Sequence, residues 1–326
     1  MMPQSDDSAD RLPRYDDLPA AGGGARSGWG LFGEDDSAGL MNLLTPARVA
    51  AAASEVRTGE VFALGAPLDA IEPPMFRRGS PRHTVLISPS GSGHDDVIDN
   101  FYPQASSQWD SLAHVGFDRD VFYNGATAED IQVRGRNTID HWARRGIVGR
   151  AVLLDVAAVL ADAGQTIDPS VSRPITVDEL EAARQRAGVE YQPGDILLLH
   201  TGFLAWYTEQ EPETKQSIAI ESTTSIGIAH TEDMARYLWD SHACAIAADN
   251  PALEVWPPDR DQSAWPFGFL HRLILGQFGM AIGELWWLHD LAASCRADGR
   301  YTALLTSAPL NVPGGIGSPP NAMAIK

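Results

Sequence analysis

The sequence predicts an α/β fold, a mixed sheet covered by helices, and three observations carry that reading. Short apolar runs such as residues 196–200 and 243–248 alternate with helical segments along most of the chain. Several of those helical segments carry explicit start signals, the clearest being the capping box of Thr176 and Glu179. Two Gly- and Pro-rich stretches, residues 249–258 and 307–320, read as long loops, and loops of that length in a compact fold often carry function.

Taken in order, residues 1–27 are rich in Asp, Ala, Gly and Pro and read as a mobile tail, with one catalytic domain over residues 28–326. Thr45 and Pro46 open an Ala-rich helix that Gly59 closes, because threonine caps and proline suits the first helical position. Residues 60–68 and 84–88 read as strands. Residues 137–145 read as a helix stopped by Gly146, and residues 151–156 as a buried strand. The helix that follows Thr176 runs to Gly188. Pro193, Gly194 and Asp195 then turn the chain into the apolar strand 196–200. Thr231 caps a helix to about Ser241, with Glu232 and Asp233 placed to favour its N-terminus. A strand at 243–248, a helix at 269–277 and a late strand at 301–306 complete the alternation. No internal repeat interrupts it.

Composition narrows the function classes. With 24 Lys and Arg against 43 Asp and Glu, the net charge of −19 repels nucleic acid and anionic membranes alike. Cys244 and Cys295 form neither a disulfide framework nor a zinc-binding CxxC pair, so both read as ordinary thiols. The first residues lack a basic segment followed by an apolar one, and no apolar run reaches the ~20 residues of a membrane helix. The expected location is the cytoplasm.

Two segments stand out chemically. In residues 101–125, Gln104, Gln108, Asp110 and His114 recur at spacings of four, two and four. If the stretch turns tightly or is helical, Asp110 and His114 converge, as a metal ligand set or as an acid–base pair. The alternative is a polar surface loop with a satisfied histidine. In residues 270–288, His271 starts an amphipathic segment and Glu284 sits in an otherwise apolar run. A carboxylate there is buried and needs a partner, a metal or a proton; a salt bridge or an edge position is the competing reading. There is no GxGxxG before a helix, no phosphate-binding P-loop, no GxSxG and no HExxH. The Gly/Ser-rich stretch 87–94 reads as a flexible loop.

From about Trp29 to Lys326 the chain resembles the cyclase family, whose members include bacterial kynurenine formamidase, isatin hydrolase and related amidases or lactonases. The family motif HxGTHxDxPxH corresponds here to Gln104-Ala-Ser-Ser-Gln108-Trp-Asp110-Ser-Leu-Ala-His114. Asp110 takes the place of the motif aspartate, and His114 that of the last histidine, which acts in proton transfer. The later metal-binding His and Glu resemble His271 and Glu284. Asp249-Asn250-Pro251 resembles the Asp-Thr-Pro loop beside the family's site, and residues 307–319 its closing wall. Gln104 and Gln108 replace two motif histidines and offer neutral oxygen donors instead of imidazole nitrogen. This QxxxQWDxxxH pattern resembles a branch of the family.

The resemblance implies a mixed sheet curling toward a barrel, of the swivelling β/β/α type, in a homodimer or larger homo-oligomer. It also implies a hydrolase of an amide, cyclic amide or lactone. Asp110, His271 and Glu284 would hold a divalent metal, with Gln104 and Gln108 completing the shell, and His114 would move the proton. With so many oxygen donors, Mn²⁺ is favoured over Zn²⁺, weakly held or absent. Trp109, Phe117, Phe122 and Tyr123, with Asp249 and Asn250, would line the substrate pocket, which suits a compact aromatic small molecule. Trp256, Trp286 and Trp287 would serve as pocket wall, subunit contact or core. The rival expectations are a cyclase or dehydratase of secondary metabolism using the same acid–base pair, and a metal-free binding protein on the same fold.

Overall fold

In the computed structural model, which describes residues 12–165, 168–221 and 223–326, the dominant element is a nine-stranded mixed sheet. In chain order the strands are β1 (Val61–Ala63), β2 (Arg82–Ile87), β3 (His94–Asp99), β4 (Gln108–Asp110), β5 (Ile147–Asp155), β6 (Pro174–Ile175), β7 (Ile196–His200), β8 (Gly227–Ile228), β9 (Ala245–Ala248), β10 (Ala281–Glu284), β11 (Thr302–Ser307), β12 (Gly317–Ser318) and β13 (Ala322–Ile325). The large sheet runs β1-β13-β11-β5-β7-β9-β10-β4-β12 and curls into half a barrel, as the α/β reading anticipates. Its centre, β5-β7-β9-β10, is parallel, and both flanks are antiparallel. Strands β7 and β9 are buried at every position, which is why they read as unbroken apolar runs in the sequence.

Helices cover the sheet where their caps predict them. Thr45 caps Pro46–Ala52, and Thr231 caps Glu232–Asp240. The Thr176–Glu179 box starts Val177–Ala187, and Gly188 ends it in the left-handed conformation that a side chain would oppose. Some expected elements shrink. The strand expected at 60–68 is only β1, and the helix expected at 269–277 is only His271–Ile274. The loop expected at 87–94 is the tip of a β2–β3 hairpin that stands outside the main sheet.

The tail reading is corrected from Leu12 onward. Tyr15, Leu18 and Ala25 are fully buried. The Tyr15 amide donates to Asp240 Oδ1 at 2.8 Å, and Trp239 Nε1 donates to the Pro13 carbonyl at 2.8 Å. A segment polar on average still docks when its few apolar residues meet a groove, here beside Trp239 and Phe278. Residues 1–11 lie outside the described residues. Tyr15→Ala is expected to destabilise by ~3–5 kcal/mol, the usual cost of emptying a large aromatic site. A thermal melt checks this, and an unchanged midpoint would restore the tail reading. Among the described residues no helix is long and apolar enough to cross a membrane.

Candidate active site

Strand β4 decides where the unusual segment points. Its residues alternate across the sheet, so Gln108 and Asp110 face one side and Trp109 the other. Glu284 lies opposite Gln108 in the antiparallel β4–β10 pair, which places it on the same face. His271 joins them from the first turn of its short helix. One ligand atom from each of Asp110, His271 and Glu284 lies within 4.8 Å of the other two, and all three residues are buried. His114 stands at the edge of the cluster with 26% of its side chain exposed, its Nε2 3.8 Å from Asp110 Oδ1.

The two glutamines are woven into this cluster. The Gln108 amide nitrogen donates to Glu284, and that of Gln104 donates to Asp110 and lies 3.2 Å from His114 Nδ1. Gly317 makes room for Gln104, since a Cβ there would come within 2.5 Å of Gln104 Cγ. Gly317→Ala is therefore expected to push Gln104 off Asp110 and His114, and a displacement of that size in a catalytic group costs up to ~10²-fold in rate. Unchanged turnover in the variant would show that Gln104 is dispensable.

A residue outside the expected set organises the centre. Glu254, fully buried in the loop after β9, accepts from the backbone N–H groups of Leu270 and His271 at 2.6 and 3.0 Å. It also meets His271 Nδ1 at 2.5 Å and pairs with His230 Nε2 at 2.8 Å. This leaves His271 Nε2 facing Glu284 Oε1 at 3.1 Å. A carboxylate behind a histidine fixes the ring and raises its basicity, the arrangement usual behind a metal-binding histidine. The only hint in the sequence is a Glu in a functional-length loop.

Electrostatics follow from burial and crowding. Burial, then the nearby Asp110 charge, pushes Glu284 up to about 7. Burial works against the His271 imidazolium, but its hydrogen bonds to Glu254 and Glu284 prevail and carry it up to about 10. For His114 burial dominates and lowers the pKa, which keeps the imidazole neutral near pH 7. Asp110 Oδ2 and Gln108 Oε1 are buried without a hydrogen-bond partner. Buried oxygen atoms that lack a donor, beside two carboxylates and an imidazole, fit a divalent cation.

The substrate-side expectations fare differently. Trp109 is buried on the far face of β4, packed against Trp142 and Trp286, with its Nε1 donating to Ser307 at 2.9 Å. Tyr123 is buried and donates to Asp36 at 3.2 Å, and Phe117 packs on Trp265. Phe122 precedes the turn Tyr123–Gly125, its amide bonded to the Ala126 carbonyl. Asp249 accepts from the Thr201 and Gly202 amides at 2.8 Å, while Asn250 donates to the Ile226 and Leu253 carbonyls. None of these six lines the cavity over the cluster: strand alternation and loop closure turn Trp109, Phe117, Tyr123, Asp249 and Asn250 inward, and Phe122 is half-buried elsewhere. That cavity, about 390 Å³, is walled instead by Phe76, Trp256 and Phe269, with His114, His271 and Glu284 at its base. Of the late tryptophans, Trp286 is core and Trp256 is pocket wall.

The sequence model of the Cyclase family matches residues 62–255, more than half of the chain, and these include the β4 motif and Glu254.

The chain belongs to the Cyclase family.

The crystal structure of a novel cyclase is 32% identical, with a TM-score of 0.81, and the match covers 92% of this chain and 99% of that one. Isatin hydrolase A from Ralstonia solanacearum shares the fold at 19% identity and a TM-score of 0.60, over 87% of this chain and 99% of that one. Isatin hydrolase A from Labrenzia aggregata, solved with benzyl benzoate bound, does so at 15% identity and a TM-score of 0.59, over 84% of this chain and 94% of that one. No curated protein matches this chain. Within the Cyclase family frame, Asp110, His271 and Glu284 are the described residues able to hold a metal ion.

Proposed function

We propose that this Cyclase family protein is a metal-dependent hydrolase of an amide, cyclic amide or lactone in a compact aromatic substrate. One observation carries the reading: Asp110, His271 and Glu284 converge under a cavity, with the buried Asp110 Oδ2 lacking a partner. Isatin hydrolases, whose fold it shares, support the reaction class.

Asp110, His271 and Glu284 would hold the ion, with Gln108 Oε1 available beside them. When bound, such an ion polarises a carbonyl and acidifies water. The remaining work belongs to the chain. His114, neutral near pH 7, takes a proton as water adds to the carbonyl carbon, and returns it to the leaving nitrogen or oxygen as that bond breaks. Gln104 holds His114 against Asp110. Glu254 holds His271 in place, and Phe76, Trp256 and Phe269 exclude water around an aromatic ring.

Oxygen-rich donor sets favour Mn²⁺ over Zn²⁺ and bind less tightly than imidazole-rich ones. Dialysis against a chelator is expected to abolish turnover of a lactone and arylformamide panel, and Mn²⁺ to restore it better than Zn²⁺. Changing both Gln104 and Gln108 to His is expected to shift the preference toward zinc. Wild-type protein that carries stoichiometric, tightly held zinc contradicts the manganese preference.

A second reading, metal-free acid–base chemistry as in a cyclase or dehydratase, has its own observation. The amide groups of Gln104 and Gln108 already give Asp110 and Glu284 neutral hydrogen-bond donors. Full activity after chelation would select it.

A further inference from the structure

The cavity over the site is lined by three arginines, Arg77, Arg78 and Arg260, and by a single carboxylate, Glu284. This is unexpected in a chain with 43 acidic residues against 24 Lys and Arg. Some arginines elsewhere find those carboxylates, as Arg150 does with Asp195, Arg173 with Glu179 and Arg296 with Asp155, while others such as Arg26, Arg145 and Arg272 bond main-chain carbonyls. Among the described residues none of the three cavity arginines makes an ion pair. Arg78 donates to the Gln104 carbonyl and lies over the Phe76 ring, its Cζ 5.3 Å from the centroid. The aspartates that flank Arg260 in sequence are turned to their own loop. Asp259 accepts from the Asp261 amide, and Asp261 accepts from the amide and hydroxyl of Ser263.

The backbone is held in an unusual shape to present this edge. Phe76 and Arg77 are consecutive left-handed residues, with φ of 59° and 61°. Neither is glycine, and such strained conformations cluster at ligand clamps. Below the arginines the wall is aromatic from mouth to base. Phe76 meets Trp256 at 5.0 Å between centroids, Trp256 meets Phe269 at 6.2 Å, and Phe269 stacks on His271 at 4.9 Å. A cavity of about 390 Å³ of this kind suits one fused or substituted ring.

We propose that Arg77, Arg78 and Arg260 form an anion clamp, and that the substrate is an aromatic carboxylate whose acid group they hold while its ring lies on Phe76, Trp256 and Phe269. The assignment of the scissile carbonyl to the Asp110–His271–Glu284 end rests on the hydrolase reading; the clamp does not. Guanidinium groups grip carboxylates in a planar, two-pronged geometry, and they do so best when no protein carboxylate competes. The clamp also gives an anionic ligand a positive entrance on a protein whose net charge of −19 would otherwise repel it.

Calorimetric titration tests the clamp with benzene-1,3-dicarboxylate and its neutral diamide, on the full chain and on the double variant Arg77→Gln, Arg260→Gln. Both side chains are exposed, so the variant is expected to melt with the wild type. The dicarboxylate is expected to bind wild type at least tenfold more tightly than the diamide, and the double variant is expected to lose that preference. Three results overturn the clamp: no binding of the dicarboxylate to wild type, equal binding of the diamide, or dicarboxylate affinity that survives in the variant. The last of these would mean that Arg77 and Arg260 do not hold the carboxylate, which then rests on Arg78 or the metal end. Turnover of the lactone and arylformamide panel, measured on the same preparation, keeps the two readings apart. Arginine-dependent binding without turnover removes the hydrolase reading and leaves the clamp. Turnover of the panel together with dicarboxylate binding that ignores both substitutions removes the clamp and leaves the hydrolase.

Discussion

Glu254→Ala is expected to disable the site and weaken the fold together. The carboxylate is fully buried, accepts from two backbone amides, contacts the His271 ring and lies 2.8 Å from His230 Nε2. Removing one partner of such a set leaves the others unpaired in a dry interior and costs ~3–5 kcal/mol. Loss of the group behind a metal-holding histidine costs ~10–100-fold in metal affinity or activity. Thermal unfolding reads the first effect and metal titration the second. Glu254→Gln separates them, because an amide keeps an acceptor for the backbone but brings no charge to His271. It is expected to fold better than Glu254→Ala while staying poor in metal binding. If both variants melt and bind metal as wild type does, Glu254 has no role in positioning His271.

His114→Ala is expected to lower kcat by ~10²–10⁴-fold, the usual worth of a positioned general acid–base group, with little change in melting point or metal content. The side chain is a quarter exposed and its polar partners are Gln104 and Asp110, so the fold does not depend on it. Asp110, His271 and Glu284, the residues proposed to hold the ion, are untouched by the change. A loss confined to KM, or a kcat within about fivefold of wild type, places the proton transfer elsewhere, since removing a transition-state contact lowers kcat itself. The ring of His271 lies 6.5 Å from that of His114 and would be the next group to examine.

Local signals in the sequence were read correctly where the physics is local. Threonine caps at Thr45, Thr176 and Thr231 mark real helix starts, because a cap is a contact between residues three apart. The run 196–200 is β7 at both ends, because a strand buried on both faces must be apolar throughout. The family resemblance named Asp110, His114, His271 and Glu284, and the fold brings them to one place.

What sequence reading missed is non-local. β4 is three residues long and β10 four, shorter than the run a periodicity argument needs, and they exist because they pair with each other and with β9 and β12. Only that pairing turns Trp109 into the core and Gln108 toward Glu284, so an aromatic-rich segment yields no aromatic wall. The wall comes from Phe76, Trp256 and Phe269, which chain order keeps far from Asp110. Tyr15 and Leu18 show the same limit at the start of the chain, where composition predicts freedom and a groove elsewhere decides burial. Sequence by itself determined the fold class and the chemical identity of the central residues, because caps, apolar runs and motif spacing are written locally. Which side chains face the cavity, what holds His271 and which charges guard the entrance were decided only by tertiary structure, because each depends on strand register and loop closure between residues far apart in the chain.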